Sequence, residues 1–200
     1  MSRCVTSTPG RPAPALGLHR EALYRLARPD DTALQSLLDH ARVAPHNYAE
    51  VGQSRGDEPP VGYWPNGGQA TLPVPFERAC DALLSLQMFD LGWLRAVGRV
   101  AEGEPVAVTT RLFGVWTAQA CRVIYVERTA ERLRWGYGTV AGHAMAGEER
   151  FELRREGGSA VYEVYSYSRP ATLFSRLVLP LVRPLQRRFA IDSAERMARC

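Results

Sequence analysis

Gly157-Gly158 stands between two stretches of alternating residues, Glu148–Arg155 and Ala160–Ser168, and this arrangement constrains the fold more than any other part of the chain. Paired glycines accept the positive φ angles of a two-residue turn, so the two stretches predict a β-hairpin. Upstream, Arg132–Thr139 alternates as well, and the link from Gly142-His143 to Gly147 makes it a separate strand joined to the hairpin. Val106–Val115 and Ala118–Glu127 are rich in Val, Thr, Phe, Trp and Tyr, which suits strands. Five strands in succession, joined by short connections, predict one meandering antiparallel sheet.

An antiparallel sheet needs its apolar face covered, and the flanking segments supply helices for that purpose. Asp30 and Asp31 sit in N-cap position before the stripe Ala33, Leu34, Leu37, Leu38, Ala41, which stops ahead of Pro45. A second helix is expected over Phe76–Leu91, with Pro75 before it and Phe76, Ala79, Cys80, Leu83, Leu84, Met88 and Leu91 on one face. Between them, residues 46–75 read as loop with a short strand or two. After Arg169-Pro170, the residues Leu173, Phe174, Leu177, Val178, Leu181, Val182, Leu185 and Phe189 keep a helical period, while Arg176, Arg183, Arg187 and Arg188 mostly take other faces. Pro180 and Pro184 each delete a helix hydrogen bond, which predicts a kink or a break into two pieces. This long final helix packs lengthwise on the sheet, or, as a basic amphipathic helix, lies on a membrane surface. Residues 1–17, rich in Pro, Gly, Ser and Thr, read as a mobile arm ahead of one domain over residues 18–200, with Leu18–Leu26 a short helix or extended piece.

Composition excludes several chemistries. The chain has 200 residues, 46% hydrophobic and 23% charged, the balance of a soluble domain. Its 25 basic residues are all arginine, and without lysine there is no Schiff base, no pyridoxal-phosphate attachment and no P-loop lysine. No cofactor motif is present, so any chemistry is expected to be cofactor-free. No apolar run reaches the roughly 20 residues that cross a bilayer, and the N-terminus lacks a secretory core, so a cytoplasmic location is expected. The formal charge of +4 is concentrated from Arg169 onward, and no stacking or groove-reading motif accompanies it, which argues against a nucleic-acid partner. Cys4, Cys80, Cys121 and Cys200 are widely spaced and read as reduced thiols, with no metal-ligand spacing among Cys and His. The sequence does not set an oligomeric state.

The string Y-G-T-x-x-G-H-x-x-x-G-E-E-R-F over Tyr137–Phe151, preceded by N-Y-x-x-V-G at Asn47–Gly52 and followed by S-R-P at Ser168–Pro170, resembles the domain of unknown function nineteen-ninety. The resemblance spans about residues 46 to 190. Val140, Ala141 and Ala144 stand where the family has Leu, Pro and Pro, which leaves this loop less rigid than in relatives. The resemblance implies an α+β helix-grip fold of the START and birch-pollen-allergen kind: a curved antiparallel sheet wrapped around a long C-terminal helix, with two short N-terminal helices and an apolar cavity between sheet and helix. It implies no established reaction.

Alternation assigns faces within the strands. Glu149 shares a face with Phe151 and Leu153, opposite Glu148, Arg150, Glu152 and Arg154, and so points toward core or cavity. Leu133, Trp135, Tyr137 and Thr139 form the bulkier face of the preceding strand. Glu163 lies with Tyr165, Tyr167 and Arg169, whichever face is inward. A carboxylate on an apolar face must be neutral, paired or hydrogen-bonded. Glu149 is therefore either a general acid/base, with Tyr137 and His143 as catalytic neighbours, or half of an internal ion pair with arginine, Arg150 or Arg169 also tying the sheet to the final helix. His143 reads as a loop histidine, because a metal would need partners and only His40 and His46 are candidates. Tyr48, Trp116, Tyr125, Trp135, Tyr165, Tyr167 and Arg169, with Trp64 and Phe113, are the candidates to line a ligand cavity, against a plain core role for the aromatics. The expected function is binding of a small, largely apolar molecule; the alternative is a cofactor-independent cyclase or dehydratase of secondary metabolism using the same cavity. A third class, an interaction protein using Arg183–Arg188 on an acidic partner, requires salt-dependent association. Because Met1–Ala15 has no apolar period with which to dock, its deletion is expected to leave the melting temperature nearly unchanged in a thermal scan; a large loss would show that the arm packs on the domain.

Overall fold

The structure, a computed structural model, describes residues 26–112 and 114–200, the side chains of residues 174, 178, 181 and 182 excepted. The expected arm, nearly all of the Leu18–Leu26 segment, Cys4 and Phe113 lie outside the described residues. The described chain forms one curved antiparallel sheet of seven strands: β1 Trp64–Leu72, β2 Leu94–Gly98, β3 Pro105–Leu112, β4 Val115–Arg128, β5 Arg132–Thr139, β6 Met145–Glu156 and β7 Ser159–Pro170. Their order is β1-β7-β6-β5-β4-β3-β2. The five expected strands are β3 to β7, and the turn between β6 and β7 falls on Gly157-Gly158, with Gly157 at φ 58°. Two strands extend this meander. β2 was hidden because Leu94–Gly98 is too short to show a clear period; β1 falls in residues 46–75, where a short strand or two is expected, but its glycines and proline, W-P-N-G-G-Q, concealed its position. β1 crosses to the far edge and pairs with β7.

Three helices accompany the sheet: α1 Asp31–Val43, α2 Phe76–Leu84 and α3 Leu173–Met197. Asp30 caps α1, accepting the Ala33 N–H at 2.8 Å. Thr172 and Ser175 form a capping box at the start of α3. α2 ends seven residues before the expected Leu91, because Leu86 adopts a left-handed conformation (φ 62°) and a short 3-10 turn, Gln87–Phe89, follows. The apolar periodicity continued past this break because Met88 and Phe89 still enter the core. α3 runs as one helix through Pro180 and Pro184, so of the expected kink or break the break does not occur. The prolines are four residues apart and both exposed, so the acceptors they orphan, at Arg176 and Pro180, lie on the solvent side.

Packing separates the two faces of the sheet. Against the concave face lie α2, the 3-10 turn and α3, closing over Leu133, Trp135, Phe151, Leu153, Tyr162 and Val164. Against the convex face of β3 and β4 lies α1, admitted closely because the residues beneath it are Ala107, Ala118 and Ala120. Arg122 secures the end of α1 by donating to the Ala44 carbonyl at 2.8 Å. No helix among the described residues is long and apolar enough to cross a membrane.

The repeat W-G-Y-G in β5 has its cause in this two-sided packing. Trp135 and Tyr137 fill the concave side, and Gly136 and Gly138 leave the convex side open for two rings. A register shift between Val123 and Tyr125 turns Tyr125 outward, where a Cβ at Gly136 would lie 2.7 Å from its ring. A Cβ at Gly138 would strike the Tyr48 hydroxyl. Gly138→Ala is therefore expected to cost about 1–3 kcal/mol in urea unfolding. Gly158→Ala, at a turn position with no neighbour within 4 Å, is the control and should change stability little.

Candidate functional site

Side-chain volume falls along the concave face, and the register makes the decline collective. Leu133, Leu153 and Tyr162 stand side by side across β5, β6 and β7, and Trp135, Phe151 and Val164 form the next row. These two rows are solid core, all six side chains at most 1% exposed. The following row is Tyr137, Glu149 and Ser166, and beyond it Gly147 faces Ser168. Small side chains at this end leave a cavity of about 340 Å³ between the sheet and α3. Phe89, Trp93, Leu94, Val108, Leu185 and Phe189 supply most of its apolar wall, and Thr110, Thr117, Gln119, Ser166, Ser168 and Gln186 its uncharged polar points.

All three catalytic candidates border this cavity. The Tyr137 hydroxyl donates to Glu149 Oε2 at 2.5 Å. No basic side chain pairs with Glu149 among the described residues, so the expected ion pair with arginine is absent. Desolvation raises the Glu149 carboxyl to about 7, against a smaller opposing effect of the Tyr137 hydrogen bond. Burial and the neighbouring carboxyl push the Tyr137 phenol well above its ordinary value. Glu149 retains some accessible surface, and that surface opens into the cavity. His143 reaches the wall from the β5–β6 loop with Nδ1 3.0 Å from the Met145 backbone. Burial lowers its pKa to about 4, so it is a neutral imidazole. The arrangement holds a proton on a carboxyl near neutrality, beside a phenol, within a largely apolar space.

The aromatic candidates are distributed differently. Trp135 is solid core next to Tyr137, their ring centroids 5.6 Å apart. Tyr167 borders the cavity, while its ring lies on the convex side against Tyr63, with its hydroxyl on the Glu50 carbonyl at 3.1 Å. Tyr48, Trp116, Tyr125, Tyr165 and Arg169 do not border the cavity. Tyr125 stacks beneath Arg55, Tyr165 beside Arg150, Trp116 beside Arg111, and Arg169 covers Tyr63. Strand parity puts Trp116, Tyr165 and Arg169 on the face opposite Glu149, and the register shift in β4 puts Tyr125 there. Arg150 likewise lies on the convex face, donating to Ser54 O, Gly56 O, Asp57 and Glu163, and ties the hairpin to the 46–63 loop and not to α3.

Glu148, adjacent to the cavity carboxyl, organises that loop. Its buried carboxylate accepts from the Tyr48 hydroxyl at 2.8 Å, Gly52 N–H at 2.5 Å and Ser54 N–H at 2.8 Å. Asn47 completes the clamp, accepting from Thr139 at 2.6 Å and donating to the Met145 carbonyl at 3.0 Å. The spacing of N-Y-x-x-V-G is thus that of a lock onto β5 and β6. His40 and His46 contact the backbone carbonyls of Ala141 and Thr139, and no metal-holding group of three His, Cys, Asp or Glu occurs among the described residues. Gln119, Gln186, Ser166 and Ser168 were not singled out in the sequence; the serines follow Tyr162 and Val164 on one strand face, a drop in size that marks the hollow end.

A seven-stranded antiparallel sheet gripping a C-terminal helix over a cavity defines a helix-grip protein. The solved structure of TTHA0849 from Thermus thermophilus shares this fold, with a TM-score of 0.51 at 14% identity over 68% of this chain and 94% of that one. Residues 47–196 match the family described as Domain of unknown function (DUF1990), and the chain belongs to it. A UPF0548 protein of Deinococcus radiodurans is 33% identical, covering 88% of this chain and 98% of that protein. Another, from Arabidopsis thaliana, is 30% identical over 60% of this chain and 63% of its own length.

The raised carboxyl has a thermodynamic signature. Between pH 4.5 and about 7 the folded state keeps a proton on Glu149 that the unfolded chain releases, so this group's contribution to stability falls as pH rises through that window. His143 acts in the opposite sense, its contribution being lost as pH falls from 6.5 toward about 4. Glu149→Gln is expected to remove the first dependence and not the second. Compared with the parent protein in denaturant melts, the variant should gain up to about 3 kcal/mol on passing from pH 5 to pH 8. A pH-independent loss of about 3–5 kcal/mol would instead be the signature of a broken buried ion pair.

Proposed function

We propose that the protein binds a small, largely apolar molecule in the cavity between the sheet and α3. The observation that carries this reading is the cavity itself: about 340 Å³, mostly apolar, with a few polar groups converging at one end. The helix-grip fold supports the reading without deciding the ligand. Carriage requires shape and a small number of polar anchors, and Gln119, Ser166, Ser168 and Gln186 are placed to serve as such anchors. Native mass spectrometry of protein purified from a producing cell is the direct test. A retained small molecule is expected, and Ser166→Leu, which fills the hollow, should eject it without a large loss of melting temperature. Retention unaffected by the filling substitution would place the ligand elsewhere.

One observation favours a second reading, a cofactor-independent cyclase or dehydratase type of activity. Glu149 is held near pH 7 in hydrogen-bond contact with Tyr137 inside the cavity, where a general acid/base must lie. In that case Glu149→Gln abolishes turnover and leaves the fold intact, whereas in a pure carrier it changes no rate.

A further inference from the structure

The chain has 25 arginines and gives none of them to the carboxyl of Glu149 among the described residues. Elsewhere its acids are paired readily: Glu127 takes Arg55 and Arg134, Glu163 takes Arg150 and Arg154, and Glu77 takes Arg128 and Arg155. The arginines of α3 that overlie the sheet, Arg176, Arg183, Arg187 and Arg188, are all exposed, and none lines the cavity. Glu149 Oε2 is occupied by the Tyr137 hydroxyl, and no protein donor reaches Oε1 among the described residues. The remaining titratable groups around it, Cys121 on β4, Tyr137 on β5, Tyr162 on β7 and His143 in the loop, are neutral at physiological pH. Glu148 also borders the cavity but turns its carboxylate away to Tyr48, Gly52 and Ser54, so Glu149 is the one potential negative charge facing into it, half-solvated by a phenol and lacking a countercharge. Rings of Phe89, Trp93, Tyr137 and Phe189 border the same space.

We infer that the cavity is built for a ligand bearing a basic amine on an apolar body, whose ammonium group is the missing counter-ion of Glu149. This rests on the reading of the cavity as a binding site and specifies the class of molecule that occupies it. An ammonium ion donates to Oε1, where the protein leaves an acceptor open, and aromatic faces favour a cation over a neutral group of the same shape. A carboxylate ligand meets repulsion from Glu149 instead. A neutral alcohol can hydrogen-bond but gains nothing from the charge. When the amine enters below about pH 7, the proton on Glu149 leaves to solvent, so the advantage of the amine shrinks as pH falls.

The test uses tryptamine, tryptophol and indolepropionic acid, which share an indole body and differ in the end group, titrated calorimetrically into the full chain. Nile red, a neutral apolar dye, reports separately whether the cavity takes ligands at all. Tryptamine is expected to bind about 10-fold or more tightly than tryptophol at pH 8, with indolepropionic acid weakest. The amine advantage should diminish at pH 5. In Glu149→Gln tryptamine should fall to the level of tryptophol, while retained Nile red binding shows that the variant's cavity is intact. Equal or tighter binding of tryptophol in the parent protein overturns the inference, as does an amine preference that survives Glu149→Gln. Failure of tryptamine to bind while Nile red is held also overturns it, and leaves the cavity reading standing. Failure of all four probes overturns the binding reading itself.

Discussion

Two adjacent glutamates on one strand cannot face the same way, and the organisation of this molecule depends on that constraint. The period of two on β6 sends Glu148 to the convex face and Glu149 to the concave one. Glu148 collects three donors from the loop carrying Tyr48, Gly52 and Ser54, and so fixes the segment that connects α1 to β1. Glu149 meets a single phenol and an open space. The same side chain, displaced by one residue, serves as an anchor on one side of the sheet and a chemically poised acid on the other. Desolvation without compensation accounts for the difference: three hydrogen bonds from rigid donors replace water for Glu148, and one does so for Glu149.

Segregation of charge follows the same parity. Arg150, Arg154 and Glu163 interlock on the convex face, where the buried Arg150 is compensated by Asp57, Glu163 and the Ser54 and Gly56 carbonyls. Arg183 and Arg188 on α3 lie over Trp64 and Trp93, 4.7 and 4.8 Å from the ring centroids, so their apolar stems and planar heads cover aromatic surface. No arginine among the described residues lines the cavity on the concave side. A chain whose only strong cation is arginine, present 25 times, could place one beside Glu149 only by displacing the cavity, because the group is large and never gives up its charge.

Much of the fold could be read from the sequence because its signals are local. The hairpin at Gly157-Gly158, the alternation of β3 to β7, the N-cap at Asp30 and the apolar stripe of the final helix each need only neighbouring residues to be recognised. β1 was foreshadowed only as a short strand somewhere in residues 46–75, its position disguised by glycine and proline, and β2, five residues long, could not be read. Parity placed Glu149 inward correctly. It did not supply the partner, because pairing is decided by the register of distant strands, and that register brings Tyr137 opposite Glu149 where an arginine was a possible occupant. Most of the aromatic lining candidates missed the cavity for a similar reason. Tyr125 is turned outward by a register shift whose only trace in the sequence is the facing glycine at Gly136.

The hollow end of the core is a consequence of what the strands leave out. Trp135 and Phe151, with centroids 4.8 Å apart, complete the packing one row away from Glu149, so the sheet has the means to fill its own interior. It stops doing so where Gly147, Ser166 and Ser168 replace large side chains. Gly147 is further fixed by its backbone, at φ 151° and with a Cβ position occupied by the Tyr167 carbonyl, so no larger residue fits there. Stability alone would favour continuing the apolar rows and leaving no desolvated acid beside an open space. Both departures fall at one place, on three neighbouring strands, and this concentrated local conflict with packing rules is what makes the hollow end the candidate site.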